Sequence, residues 1–233
     1  MRKILFGFSV LLLAGCLALG GVARLTERAD DPVPAGAGGR RVIVIDAGHG
    51  GEDGGAVGVN GALEKDLNLS LARTLADLLR GGGFTVVETR TEDKLLYSES
   101  DKNGHRKRGD LQNRQKYMGK YPESVFISIH MNTYPTPNCE GVQVWYAPGS
   151  AESEALAGAV QNGVAALLQP ENKRKTKQAN SMIYLLRHAT VPAILVECGF
   201  LSTPAECEKL CEETYRHELA LAIYSSVSGF LAK

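Results

Sequence analysis

Val42-Ile43-Val44-Ile45-Asp46-Ala47-Gly48-His49-Gly50-Gly51 is the stretch that decides the fold. Four β-branched residues with no polar break read as a strand buried on both faces, which is the habit of parallel sheets. The run then ends on an acid, a small-residue turn and a histidine. Two later runs end in the same manner: Val125-Phe126-Ile127-Ser128-Ile129 on His130, and Ala193-Ile194-Leu195-Val196 on Glu197. Ligands of open α/β sheets bind outside the carboxyl ends of the strands. Parallel pairing therefore brings His49, His130 and Glu197 to one rim. A core would continue with another apolar residue at each of these ends. Metal-binding and proton-carrying residues stand there instead, which points to a metal hydrolase.

Working outward, strand and helix patterns alternate from Arg41 onward, the signature of an α/β domain. The first strand enters a glycine-rich loop, Gly48 to Gly61. A helix follows from about Leu63, with Leu67, Leu71, Leu75 and Leu78 at helical spacing, until Gly81-Gly82-Gly83 stops it. Phe84 to Thr89 is the second strand. Tyr97 to Gly109 is polar and irregular, and Asp110 to Tyr121 forms a helix before the strand that ends at His130. Gly141 to Tyr146 alternates like a strand, and Ala151 to Leu168 reads as an amphipathic helix. Met182 to Leu186 and Ala193 to Glu197 read as strands, and Glu206 to Leu231 as mostly helical. There is no internal repeat and no second domain in the pattern.

The 233 residues suit one such domain plus an N-terminal extension. Arg2-Lys3 supplies a positive start, and Ile4 to Ala23 carries no charge, so residues 1–23 read as an export signal or membrane anchor. Leu13-Ala14-Gly15-Cys16 resembles the lipobox of bacterial lipoproteins. Gly21-Val22-Ala23 offers an ordinary cleavage site, and the uncut segment is long enough to anchor in a bilayer. Lipoprotein, uncut anchor and cleaved secretion all place the rest of the chain outside the cytoplasm. Residues 24–40, rich in Pro and Gly, read as a flexible linker, leaving 41–233 as the catalytic domain.

The formal net charge is zero, and no basic stripe marks one element, so the footprint of a nucleic-acid binder is absent. His105-Arg106-Lys107-Arg108 and Lys173-Arg174-Lys175-Thr176-Lys177 read as solvated surface. Cys139, Cys198, Cys207 and Cys211 permit disulfides in an exported chain without requiring them. Cys207 and Cys211, at i,i+4 spacing, read as small apolar residues of one helix. The Cys198 side chain points to the opposite strand face from Glu197, against a nucleophilic role.

A catalytic zinc takes three ligands from His and carboxylate and leaves a position open. His49 and His130 supply two. The third is best sought on the loop after the first strand. Glu64 opens the following helix, where negative charge is favoured, and Glu52 and Asp53 in the glycine loop are its rivals. Asp46, three residues before His49, stands where it would accept from a ligand imidazole or cap the loop amides. Glu197 remains free to take a proton from an activated water and return it to a leaving group; a closed structural site, with Glu197 as fourth ligand, is the competing arrangement. His188 lies between two strands near the rim, where the alternatives are an approach to substrate and a satisfied surface histidine, while His105 sits in a basic polar loop and His217 on a late helix.

Asp46-Ala47-Gly48-His49-Gly50-Gly51, Leu63-Glu64-Lys65-Asp66, Ser128-Ile129-His130-Met131-Asn132 and Val196-Glu197-Cys198-Gly199-Phe200 resemble the motifs of zinc-dependent N-acetylmuramoyl-L-alanine amidases. The likeness runs in order through Arg41 to Lys233. It implies a three-layer α/β/α sandwich on a mixed, mostly parallel six-stranded sheet. It further implies one Zn²⁺ held by His49, Glu64 and His130, with Glu197 as the acid/base. Thr89-Arg90 and Leu111 to Arg114 match further family features, so Arg90, Arg114, Asp46 and Asn132 are candidates for supporting the ligands or touching substrate. Tyr117-Met118 departs from the Ala-Asn often found there, and Gln143 stands where many members carry glutamate.

The short anchor and the lack of a wall-binding module are most similar to the spore-cortex branch of the family. That branch implies cleavage of the amide between the lactyl group of N-acetylmuramic acid and L-alanine during cortex maturation, so that muramic-δ-lactam forms. The partners so implied are peptidoglycan strands with stem peptides, the membrane through the N-terminus, and an activating protein of unknown identity. A general cell-wall autolysin and a non-catalytic peptidoglycan-binding relative are the alternatives. A dinucleotide site fails, because Gly48-His49-Gly50-Gly51-Glu52-Asp53 lacks the third glycine of GxGxxG and the helix starts too late.

Overall fold

The structure, a computed structural model, describes residues 41–97, 106–136 and 139–232. The export-type segment 1–23, the linker 24–40 and His105 lie outside the described residues. Six strands, β1 (Val42–Ala47), β2 (Thr85–Glu88), β3 (Val125–Asn132), β4 (Gln143–Tyr146), β5 (Lys177–Gln178) and β6 (Ala193–Phe200), form one sheet in the order β2-β1-β3-β6-β4-β5. The first four neighbours run parallel, β4 lies antiparallel to β6, and β5 follows β4 in parallel. The helices are α1 (Glu64–Gly81), α2 (Arg106–Lys120), α3 (Ala151–Leu167), α4 (Tyr184–Arg187), α5 (Pro204–Cys211) and α6 (Glu213–Leu231).

Strand alternation sorts the core into two layers. Ile43, Ile45, Ile127, Ile129, Val196 and Cys198 pack with residues of α1, α3, α5 and α6, among them Leu71, Leu156, Leu210 and Ile223. Val44, Phe126, Ala193 and Leu195 face the other way, against Met118 of α2 and Leu185 and Leu186 of α4. The result is the three-layer α/β/α sandwich. Each fully buried Val, Ile, Leu or Phe contributes about 1.5–3 kcal/mol over leaving it exposed, so the central strands dominate its stability. Cys198 lies in the opposite layer from the Glu197 side of the strand, and all four cysteines of the described region are free thiols. Among the described residues no helix is long and apolar enough to cross a membrane.

Four segments differ from the sequence expectation. Met182 to Leu186 is not a strand: Asn180 accepts from the Met182 and Ile183 amides and turns the chain into α4, where Leu185 and Leu186 are both buried. The sixth strand is instead the two-residue β5 on the sheet edge. The irregular stretch before Asp110 already contains the first turn of α2, from Arg106. The late helix is two helices, because Glu212 takes an extended conformation (φ −77, ψ 126) between α5 and α6. Arg216 of α6 donates from Nη1 to the Leu210 carbonyl, which caps the end of α5.

Candidate metal centre

The parallel register fixes where the rim residues meet. Asp46 pairs with Ser128 across β1 and β3, and His130 pairs with Glu197 across β3 and β6. Registered neighbours project from the same face of a sheet, so His130 and Glu197 stand side by side. Beyond β1 the chain turns at Gly48 into His49, which holds φ 61, a left-handed conformation that is uncommon outside glycine. Gly48 must be glycine for a packing reason: a Cβ there would lie 2.2 Å from the His130 ring. Gly55 clears the other side, where a Cβ would lie 2.5 Å from Glu64 Oε2.

Glu64, the first residue of α1, is buried on the helix face that continues through Leu67, Asn68 and Leu71. Its Oε1 lies 3.0 Å from His130 Nδ1 and its Oε2 lies 3.2 Å from His49 Nε2. The two imidazoles meet edge to face, with ring centroids 5.0 Å apart. One ligand atom from each of His49, Glu64 and His130 can be chosen so that all lie within 4.8 Å of one another. The Ala56 and Met131 amides and Asn68 Nδ2 also donate to the Glu64 carboxylate, so its position is set from three elements.

The electrostatics fit a cation. Burial pushes the Glu64 carboxyl up, but hydrogen bonds and charge from His130 and His49 outweigh it and hold it far below the usual carboxylate range. Burial pulls His49 down, and Glu64 and Asp53 more than reverse this, leaving it raised. Two imidazoles around one carboxylate thus attract positive charge into the space between them. Two imidazole nitrogens and one carboxylate oxygen are a donor set suited to a catalytic zinc, which keeps a fourth position open. Glu197, partly buried, has its Oε2 closed off from solvent and, among the described residues, without a hydrogen-bond partner. Burial pushes its carboxyl up to about 7; His130 pulls it down, Glu64 adds to the rise and His49 opposes it.

The remaining sequence candidates occupy distinct positions. Asp46 bonds neither to an imidazole nor to the loop amides. Its carboxylate accepts from Thr89 Oγ1 at 2.7 Å, Ser128 Oγ at 2.6 Å and Arg114 Nη1 at 2.8 Å. The geometric cause is that Asp46 lies on the strand, beneath the turn that carries the His49 ring away. The carboxylate beside that ring is Asp53, whose Oδ2 lies 2.9 Å from Nδ1, off the line of an ideal hydrogen bond. Asp53 was seen in sequence only as a rival ligand. Its position depends on the paired Gly50–Asp53 backbone bonds that curl the loop, which no residue pattern announces. Glu52 turns outward to Arg106, 2.6 Å away.

Arg90 and Arg114 are both buried and donate to main-chain carbonyls at the end of β1. Asn132 Oδ1 accepts from the Thr133 amide at 2.7 Å, so its side chain serves its own loop. His188 is exposed and stacks on Tyr184 with centroids 4.3 Å apart, away from the centre.

Fold and donor set together define an α/β protein with a candidate His-Glu-His metal centre and a carboxylate beside it. Residues 43–228 match the family described as N-acetylmuramoyl-L-alanine amidase, and the chain belongs to that family. It is 37% identical over 194 residues to the germination-specific N-acetylmuramoyl-L-alanine amidase of Bacillus subtilis, covering 83% of this chain and 81% of that protein. The CwlD amidase of Clostridioides difficile, solved in complex with the GerS lipoprotein, superposes with a TM-score of 0.79 at 33% identity, over 82% of this chain and 98% of that one. The amidase AmiC2 of Nostoc punctiforme superposes with a TM-score of 0.71 at 30% identity, over 83% of this chain and 98% of that one.

Proposed function

We propose that this chain is a zinc-dependent amidase that cleaves the bond between the lactyl carbonyl of N-acetylmuramic acid and the amino group of L-alanine in peptidoglycan. The observation that carries the reading is Glu64 held between His49 and His130, with Glu197, whose buried Oε2 has no partner among the described residues, beside His130 in the sheet register. His49, Glu64 and His130 would hold one Zn²⁺, which when bound polarises a carbonyl and lowers the pKa of water. An amide also needs a proton for its departing nitrogen, and that falls to Glu197. Its carboxylate takes a proton from the attacking water and delivers it to the alanine nitrogen, so water is split between the lactyl acid and the free amine. The rise toward neutrality imposed by burial lets one group both accept and donate.

The biological setting in this reading is spore-cortex maturation, with cleavage preceding muramic-δ-lactam formation. The likeness to the germination-specific amidase and to CwlD supports it. Residues 1–23 act as export signal or anchor and 24–40 as a linker, placing domain 41–233 outside the cytoplasm, at the membrane or in the wall. An activating protein partner belongs to the same proposal, supported by the GerS complex of the CwlD relative.

The test incubates the zinc-loaded protein with purified peptidoglycan. Free stem peptides with L-alanine amino termini are expected. Release of sugars alone, or cuts within the peptide, would overturn the reading.

A further inference from the structure

Arg90 is only 2% exposed, and among the described residues it pairs with no carboxylate. A buried guanidinium without a counter-charge is costly to keep. All four of its hydrogen bonds go to carbonyls: Nε to Ala47 at 2.9 Å, Nη1 to Glu92 at 3.2 Å, and Nη2 to Gly48 at 2.9 Å and Lys65 at 2.8 Å. Hydrogen bonds from a charged donor are stronger than those between neutral groups, which offsets the burial. Their targets are selective. The single Nη2 atom joins the carbonyl preceding His49 to the carbonyl following Glu64. It thereby fixes the distance between two candidate ligands that lie on separate elements.

Arg114 completes the frame from the other side. It donates to the His49 carbonyl at 2.7 Å and the Ala47 carbonyl at 2.6 Å. Through Asp46 it also reaches Ser128, two residues before His130. Three successive carbonyls, Ala47, Gly48 and His49, are thus turned toward guanidinium groups. This holds His49 at its positive φ, a conformation that persists only where its surroundings enforce it.

We propose that Arg90 and Arg114 are positioning residues that set metal affinity by holding His49, Glu64 and His130 in register before the cation arrives. The inference rests on the reading of those three residues as the zinc site. Outer partners of ligands typically change metal affinity by about 10–100-fold, and that range is expected here. Arg90→Lys is the chosen variant, because a lysine keeps the charge but its single nitrogen cannot reach the Ala47, Glu92, Gly48 and Lys65 carbonyls together as the planar guanidinium does.

Zinc dissociation constants are measured on the full chain by competition with a chelating dye, alongside cobalt absorption spectra and melting of the metal-free protein. Weakened zinc binding and an altered cobalt spectrum, in a variant that still melts cooperatively, supports the proposal. Wild-type affinity in the folded variant overturns it, and a lowered melting temperature with unchanged affinity assigns Arg90 to structure alone. Should Arg90→Lys fail to fold, Arg114→Lys carries the same test on the other guanidinium of the frame, since one nitrogen cannot keep the Ala47 and His49 carbonyls and the Asp46 and Asp110 carboxylates together. A wild-type protein that binds neither Zn²⁺ nor Co²⁺ removes the metal reading itself and this inference with it.

Discussion

Two buried carboxylates, Asp46 and Glu64, lie on either side of the turn that follows β1, and they are finished in opposite ways. Asp46 is closed: a guanidinium and two hydroxyls satisfy it, and burial, which alone would raise its pKa, is outweighed by Arg114, Ser128 and Thr89, so the carboxyl stays below its ordinary value. Glu64 is finished differently: its carboxylate is fully engaged, but two of its partners are imidazoles whose nitrogens can turn to a cation, and Glu197 beside them has a carboxylate oxygen with no partner among the described residues. An acid held by a guanidinium and hydroxyls rigidifies a frame; one held by imidazoles, next to a carboxylate oxygen left without a partner, marks where something binds. The difference separates scaffold from chemistry more sharply than residue type, since both are acids at strand or helix ends.

The strongest way to break the comparison is to remove a donor from the open centre. His130→Ala leaves two donors, and a site with an open position has no spare, so stable zinc binding and amidase activity should both vanish. Metal analysis of the purified variant checks this; full zinc content would refute the assignment of His130. Next in size is Glu197→Gln, which keeps the shape and removes the proton carrier. Turnover should fall by about 10² to 10⁴ with zinc retained. A variant that loses zinc as well would mean that Glu197 is a ligand, closing the centre.

The closed centre answers to stability instead. Arg114→Met leaves Asp46 buried without its counter-charge, which should destabilise by about 3 kcal/mol at neutral pH. The sign with pH follows from the direction of the shift. In the native protein the Asp46 carboxyl is held below its unfolded value of about 3.9. Its contribution is therefore full above pH ~4 and is lost as pH falls through the folded value. In the variant, burial is opposed only by Ser128, Thr89 and His130, so the folded value rises, and the penalty is greatest at neutral pH and shrinks in acid as Asp46 protonates. Denaturant midpoints of both proteins across this range test it; a penalty independent of pH would assign the loss to packing alone.

The rim was readable in sequence because β1, β3 and β6 are uninterrupted apolar runs whose ends are set by parallel register, so strand termini alone bring His49, His130 and Glu197 together. Glu64 was readable as a helix-opening acid, with Glu52 and Asp53 as rivals until the family resemblance chose it; the apolar stripe Leu67-Leu71-Leu75 that continues from it is the further signal that could have placed it on the buried face. Asp46 was misassigned because spacing of three from His49 says nothing about which way a left-handed turn throws the ring. The β5 edge was illegible for another reason. Two exposed residues, Lys177 and Gln178, bury nothing and carry no periodicity, whereas the apolar Leu185 and Leu186 nearby invited a strand where Asn180 turns the chain.

The smallest expected effect sits where the two centres differ by one contact. Asp53 Oδ2 lies 2.9 Å from His49 Nδ1, off the ideal line, and a carboxylate there favours the tautomer with its proton on Nδ1, which leaves the Nε2 lone pair for a cation. The Asp53 side chain is about one-quarter exposed, so solvent screens much of its charge. Asp53→Ala should weaken zinc binding by about tenfold, the low end for such outer partners. Asp53→Asn should do less, because an amide oxygen can still accept from Nδ1–H. The Gly50–Asp53 backbone pair survives both changes, so the loop should keep its course. Zinc titration of the two variants separates the contributions. Equal affinity in all three proteins would show that the loop backbone orients His49 unaided, and a larger loss for Asn than for Ala would mean that the amide has flipped its nitrogen toward the ring and selected the wrong tautomer.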